Sequence, residues 1–126
     1  MLFRSVSQSR YRAAVIKKKI GGTYYTMAYK PIYLDSVYDR DSNPNLIPTN
    51  KWIGIKTEIR NIDKNQVDLK LFGDLNGTGE WSLLLEAVDD GTKYGAKAII
   101  QGGYAGIRSD FMDVEFKDYK ATEIIE

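Results

Sequence analysis

The sequence predicts an all-β fold, an antiparallel β-sandwich of the jelly-roll type. Three observations lead to this prediction. Several short segments alternate polar and apolar residues, as half-buried strands do. Clusters of Gly, Asn and Asp separate these segments at intervals of about ten residues, which is typical of sandwiches. No helical periodicity continues over a useful length of the chain.

The first predicted element is a hairpin. Arg10 to Lys19 and Thr23 to Leu34 alternate polar and apolar residues, and the pair Gly21-Gly22 separates them. Two glycines accept the positive φ angles that a two-residue hairpin turn requires. A polar loop from Asp35 to Asn50 follows the second strand.

The middle of the chain predicts three more strands. Lys51 to Asn61 and Val67 to Leu71 repeat the same alternation around a short polar turn, so we expect them to pair as a meander. The Gly-rich loop Asp74 to Glu80 leads to a third strand, Trp81 to Val88. Trp52 and Trp81 stand at strand starts, where we expect them to close the core; a role as exposed platforms for sugar rings is the alternative.

The last predicted strands lie near the C-terminus. After a loop from Thr92 to Gly103, two more strands are predicted, Tyr104 to Arg108 and Phe111 to Tyr119, and the second alternates apolar and charged residues. We expect them to complete the sandwich as an antiparallel pair.

Composition excludes several function classes. The 126 residues carry a net charge of only +1, which argues against a generic nucleic-acid binder. Cys and His are both absent, so a disulfide framework, a Cys or His zinc site and a His-dependent catalytic triad are excluded for these residues. No stretch approaches the roughly 20 apolar residues of a membrane span, and the basic N-terminal region lacks the apolar core of a signal peptide.

The first five residues predict a non-native start. Met1-Leu2-Phe3-Arg4-Ser5 matches the in-frame translation of a common sequencing adapter, and a genuine short N-terminus is the alternative. We therefore assign no structural role to residues 1–5. Residues 6–126 are expected to form a single jelly-roll domain, the C-terminal part of a larger one.

Several runs resemble the later strands of the concanavalin A-like lectin and glucanase superfamily. They are Lys51 to Lys56, Val67 to Phe72, Gly79 to Trp81 and the ending Gly103 to Phe116. The resemblance implies a jelly roll, carbohydrate binding, and an extracellular or cell-surface location for the parent protein. Such a jelly roll has more strands than this chain predicts, so the resemblance also implies an N-terminally truncated fragment with an incomplete sandwich.

The hairpin carries the predicted sugar site. Alternation places Arg10, Arg12 and Lys18 on one face, and Tyr25, Met27 and Tyr29 on one face of the next strand. Sugars stack their C–H faces on aromatic rings and bond planar cations through their hydroxyl groups, and several cations favour an acidic polysaccharide. A solvated face with core tyrosines is the alternative.

The loop after the hairpin carries a candidate calcium site. Its oxygen-bearing side chains occur at alternate positions, at Asp39, Asp41, Asn43 and Asn45, and Asp35 stands just before them. Calcium takes roughly six to eight oxygen ligands from flexible loops, so the spacing suits this cation. The loop lacks the glycine and the bidentate glutamate of an EF-hand, and an ordinary polar loop is the alternative.

The sequence favours a non-catalytic, lectin-like module whose partner is a polysaccharide or glycan. Nucleic acid is not expected as a partner, no membrane span is expected, and the oligomeric state is left open. Two alternatives stay open: a fragment of a polysaccharide lyase or glycoside hydrolase, and a structural or adhesion sandwich without sugar affinity. No residue is assigned a catalytic role, because the acidic strand motif of the superfamily's glucanases is absent from the sequence.

Overall fold

The computed structural model describes residues 2–5, 11–45, 47–109 and 113–124. Its six strands are β1 (Leu2–Ser5), β2 (Tyr11–Ile20), β3 (Thr23–Val37), β4 (Gly54–Asn61), β5 (Val67–Asp74) and β6 (Ser82–Asp89). They form two antiparallel sheets, ordered β1-β2-β3 and β4-β5-β6. These ranges contain no helix, so the predicted all-β class is confirmed.

Each sheet is a meander whose turns follow the sequence signals. The predicted hairpin is β2 and β3, and Gly21 and Gly22 close it with φ angles of +58° and +83°. Both angles lie in the left-handed region that glycine enters without steric cost. In the second sheet, Thr57 pairs with Leu71, and Leu71 pairs with Leu85.

The core lies between the two sheets. Side chains of β2 and β3 pack against β6 and against Leu71 of β5. Its buried members are Ala14, Ile16, Met27, Ile32, Leu71, Leu85 and Ala87. Two facing antiparallel sheets around one apolar layer are consistent with a β-sandwich.

Strand β4 lies outside this covered region. Ile55 and Ile59 are 42% and 61% exposed, although Ile59 pairs with Leu69 on the inward face of the sheet. The inner face of the second sheet is therefore apolar beyond the area where the first sheet packs against it.

A β-bulge at Met27 corrects the predicted facing of the hairpin tyrosines. Ile16 pairs with Ala28 and Lys17 with Thr26, which leaves Met27 as the extra residue of β3. Tyr25 consequently pairs with Lys18 while Tyr29 pairs with Val15. Positions 15 and 18 of a strand point to opposite faces, so the two tyrosines do not share one.

The predicted C-terminal strands are wrong for the residues that the structure describes. Residues 104–108 and 113–119 have no strand conformation, and Tyr104 and Phe116 are exposed. Residues 110–112 of the second predicted strand lie outside the described residues. Alternation reports which side chains share a face, but a strand also needs a backbone partner, and the glycines at 102, 103 and 106 add a conformational-entropy cost.

The N-terminal segment also differs from expectation. Leu2–Ser5 forms β1 and pairs with β2 from Arg12 to Val15, although the sequence analysis gave residues 1–5 no structural role. An edge of β2 accepts any extended backbone, because the ladder bonds use main-chain groups. The non-native origin of these five residues stays a prediction.

Candidate functional site

Arg12 is buried and organises the loop after β3. Its guanidinium, on a residue only 5% exposed, donates hydrogen bonds to the Asn45 and Ser36 carbonyl oxygens and to Asn43 Oδ1 at 2.9 Å. The planar fork of an arginine suits several acceptors at once. Arg12 therefore serves the loop rather than the protein surface.

Lys18 is buried in an ion pair with Asp89. Lys18 Nζ lies 2.8 Å from Asp89 Oδ2, and both side chains are almost completely shielded from solvent. The same ammonium donates to the carbonyl oxygens of Ala96 and Lys97. These bonds fasten the loop after β6 to the first sheet.

The remaining predicted sugar residues are separated. Arg10 lies outside the described residues. Tyr25 is half-buried, and its ring packs so closely on Gly95 of the loop after β6 that a Cβ there would lie 2.8 Å from the ring. Tyr29 is exposed on the opposite face of the sheet. Sugar binding by this set stays a prediction, but the structure does not gather the set on one open surface.

The hairpin instead displays an aromatic residue that the sequence analysis missed. Tyr24 is 57% exposed, and the ammonium groups of Lys17 and Lys19 lie 5.6 and 4.8 Å from its ring centroid. Both distances fit cation–π attraction. The available sequence signal was alternation, which places Lys17 and Lys19 together on the face of β2 opposite Lys18.

The oxygens of the candidate calcium loop bond within the loop. Asp39 Oδ1 accepts the amides of Asp41 and Ser42 at 2.9 and 3.0 Å. The Asn43 side chain accepts from Arg12 and donates to Val37 O at 2.7 Å. Asp35 is exposed, and the described ranges contain no group of three acidic side chains arranged to hold a metal. Calcium binding by this loop stays a prediction.

Two aspartates stabilise turns in the second sheet. Asp74 accepts the amides of Gly79 and Thr78 at 2.8 and 3.0 Å, and these bonds lower its pKa below the ordinary range. The Thr92 amide, the Thr92 hydroxyl and the Lys93 amide lower the pKa of Asp90 from 3.8 to about 2. Donors to a carboxylate favour its charged form.

We expect the protein to lose stability as the pH falls from about 4 to about 2. A carboxylate whose pKa is depressed in the folded state contributes stability above its unfolded pKa, and protonation through the folded pKa removes it. Melting temperature measured across this range is the test, and Asp90→Asn should flatten the curve. Asp113→Asn, which removes an exposed carboxylate of the C-terminal segment, is the control for net charge. If Asp90→Asn and the wild-type chain showed the same dependence of melting temperature on pH, Asp90 would not be the group responsible.

Trp81 forms an exposed aromatic surface at the start of β6. It was expected to close the core, but it is 46% exposed and lies over the backbone of Gly54. A Cβ on Gly54 would come within 2.7 Å of the indole ring, so glycine is required for this contact. The glycine was the available sequence signal, because a glycine inside a strand often marks the close approach of another group.

Lys56 links this indole to a second ring. Its ammonium lies 4.4 Å from the centroid of Phe72 and 5.5 Å from that of Trp81. Trp52 is exposed to the same extent as Trp81, and Lys117 lies 4.3 Å from its ring centroid. We call the side chains of Trp52, Lys56, Phe72 and Trp81 the aromatic end of the second sheet.

Polar side chains lie in the loop between β5 and β6, next to the start of β6. A cavity of about 210 Å³ follows the loop between β5 and β6 and is lined by Asp74, Asn76, Thr78, Glu80 and Ser82 among others. Glu80 and Ser82 flank Trp81 in sequence, and Asp74 Cβ lies next to Gly54 as the indole does. Asp74 therefore connects this cavity with Gly54, which the indole covers.

Comparison with known proteins gave no match to a family model, to a curated protein or to a solved structure. Within the part of the chain that the structure describes, no helix has the length and apolar character needed to cross a membrane. The exposed side chains are therefore the basis on which a function can be argued.

Proposed function

We propose that this chain is a lectin-like, carbohydrate-binding β-sandwich module that binds an acidic polysaccharide through its aromatic end. One observation carries the proposal: the half-exposed Trp81 indole, fixed against Gly54, has the Lys56 ammonium beside it. A flat ring next to a cation matches a sugar that bears a carboxylate.

The chemistry of a uronic acid explains each part of this surface. The ring C–H groups of a sugar are apolar and stack on an indole face, where they bury area without a desolvated polar group. The carboxylate of the same sugar would pair with Lys56, and its hydroxyl groups would find acceptors and donors among Glu80, Ser82 and Asn76. Trp52, with Lys117 at its ring, repeats the same combination at a neighbouring position.

The aromatic end suits sugar binding better than the hairpin set predicted from the sequence. Arg12 and Lys18 donate their hydrogen bonds to the protein's own carbonyl and carboxylate groups. A ligand would have to displace those bonds and expose a buried charge. Trp81 and Lys56 are about half exposed, and the ion pair of Lys56 with Glu58 at 4.0 Å is itself open to solvent, so a ligand can reach both side chains at a smaller cost.

The finer architecture belongs to the same proposal. We propose a jelly roll of the concanavalin A-like kind and an extracellular or cell-surface location for the parent protein. The two facing antiparallel sheets support the sandwich part of this architecture, and the resemblance of the middle and C-terminal runs is the support for its jelly-roll form and for the location.

The test is binding to an oligogalacturonate, an acidic polysaccharide fragment, by isothermal titration calorimetry. We expect Trp81→Ala to raise Kd by about thirtyfold, as truncation of a central aromatic contact does. Lys56→Ala should raise Kd by about fivefold and weaken the dependence on salt, because an exposed ion pair contributes little and is screened. Gly54→Val should act like Trp81→Ala, since its side chain would displace the indole.

Tyr24→Ala is the matched control. Tyr24 is an exposed aromatic residue with lysines at its ring, but it lies on the other sheet. We expect it to leave Kd unchanged. Binding that depends on Tyr24 and not on Trp81 would move the site to the hairpin, and an absence of binding to neutral and acidic glycans alike would contradict the function.

A further inference from the structure

Strand β4 has an open edge. Its backbone pairs with β5 on one side, and β4 is the outer strand of the second sheet. Among the residues that the structure describes, no other strand pairs with it. An open edge with regular alternation offers a row of amide and carbonyl groups to another strand.

The residue pattern of β4 is complementary to itself in one register. When two antiparallel copies are centred on Thr57, Lys56 stands opposite Glu58 of the second copy, and Glu58 stands opposite Lys56. In the same register Ile55 stands opposite Ile59 of the second copy, and Ile59 stands opposite its Ile55. Opposite charges and β-branched apolar pairs stabilise directly opposed strand positions.

Other registers lack this match. Centring the pair on Glu58 sets the two glutamates against each other and places Lys56 opposite Arg60. Centring it on Lys56 sets the two lysines against each other. Like charges directly opposite are destabilising, so both of these registers are disfavoured. Centring the pair on Ile59 sets Glu58 opposite Arg60, but it pairs only residues 57–61 of β4 and leaves Ile55 without an apolar partner, whereas the register centred on Thr57 pairs residues 54–60. Charge and apolar pairing together therefore favour the register centred on Thr57.

The exposure of Ile55 and Ile59 also favours a second copy of this chain as the partner. Ile55 and Ile59 are 42% and 61% exposed on the inward face of the sheet, which the first sheet does not cover there. Pairing through β4 would bring two Ile55 and two Ile59 side chains together on one face. Burial of this face would add apolar stabilisation to the backbone hydrogen bonds.

We propose that two copies of this chain associate through antiparallel pairing of their β4 edges about a two-fold axis at Thr57. The two second sheets then form one continuous six-stranded sheet. A two-fold contact uses the same patch on both copies, which is the commonest symmetry of soluble oligomers. Lys56 belongs both to this edge and to the aromatic end, but the inference does not rest on the proposed sugar binding, because the pairing needs no ligand and is measured without one.

A charge swap tests the pairing. Sedimentation velocity up to about 1 mM should show the wild-type chain as a dimer, and Lys56→Glu or Glu58→Lys alone should raise the dimer Kd about tenfold or more. The double variant Lys56→Glu/Glu58→Lys restores opposite charges in every opposed pair, so it should recover the wild-type Kd. A monomeric wild-type chain would leave the edge to a strand of a different protein and would overturn the proposal. Equal Kd values for all four proteins would also overturn it.

A cysteine placed on the axis provides a second readout. The chain has no cysteine, so Thr57→Cys introduces a single thiol. Directly opposed antiparallel residues have Cα atoms about 4.5 to 5.5 Å apart, within disulfide range. Thr57→Cys should oxidise rapidly to a covalent dimer, whereas Ile59→Cys should not, because its partner is Ile55. Equal oxidation rates for the two variants would overturn the register.

Discussion

Replacing Lys18 with Met is expected to lower the free energy of unfolding by about 3–5 kcal/mol, because it leaves the Asp89 carboxylate buried without its cation. Lys18 and Asp89 are 2% and 3% exposed in their side chains and lie 2.8 Å apart. The substitution also removes the donor to Ala96 and Lys97, so the loop after β6 loses its attachment to β2. Urea denaturation followed by tryptophan fluorescence measures the loss.

Two further variants test whether the buried, unpaired Asp89 carboxylate causes the loss of stability. Lys18→Met/Asp89→Asn should recover most of the stability, because it removes the orphaned charge and keeps an acceptor for the Gly91 amide. Lys70→Met should cost less than about 1 kcal/mol, because Lys70 pairs with Asp68 and Glu86 at a partly exposed position. Equal losses for Lys18→Met and Lys70→Met would contradict the buried pair.

Replacing Arg12 with Ala is expected to lower the free energy of unfolding by about 2–4 kcal/mol. The substitution removes hydrogen bonds to Ser36, Asn43 and Asn45 and empties the space that the guanidinium fills. These hydrogen bonds are partly buried, so the Ser36 and Asn45 carbonyl groups lose a charged donor that water replaces only in part. Thermal melting measures the loss, and hydrogen exchange should show faster exchange in residues 36–45.

Two further substitutions control this second experiment. Arg12→Lys keeps the charge but cannot present the planar fork, so we expect it to recover less than half of the loss. Arg40→Ala removes an exposed arginine of the same loop and should change stability by no more than about 0.5 kcal/mol. A complete rescue by Arg12→Lys would show that charge alone stabilises the loop.

Sequence reasoning predicted the local elements of this fold. The Gly21-Gly22 pair located the hairpin turn, and the alternation around Thr57 located a strand within a few residues of β4. Both features depend only on residues close together in sequence, within one turn or one strand. The alternation of apolar and polar residues over such a short window predicts them directly.

Contacts between distant residues were beyond sequence reasoning. Lys18 and Asp89 are 71 positions apart, and no feature near either residue indicates the other. A basic residue on an alternating strand is ordinarily solvated, so alternation predicted an exposed Lys18 face and the buried pair was missed. The bulge at Met27 had the same effect on Tyr25 and Tyr29, because one extra residue reverses the facing of later positions.

The candidate site was predicted in its chemistry and not in its location. Aromatic rings beside cations were expected on the hairpin, and Trp52 and Trp81 were considered as sugar platforms only as the alternative to core residues. Both tryptophans are half-exposed, and Lys56 lies beside Trp81. Whether a tryptophan at a strand start faces the core depends on how the sheets pack. Packing of the two sheets cannot be derived from alternation within one strand.

The order of strands within each sheet has a consequence for how the chain reaches this structure. Each sheet consists of strands consecutive in sequence, so the turns that join them close short loops at a small entropy cost. No described strand of one sheet lies between strands of the other. The cost of long-range closure is therefore concentrated in a single step, the docking of two locally formed meanders.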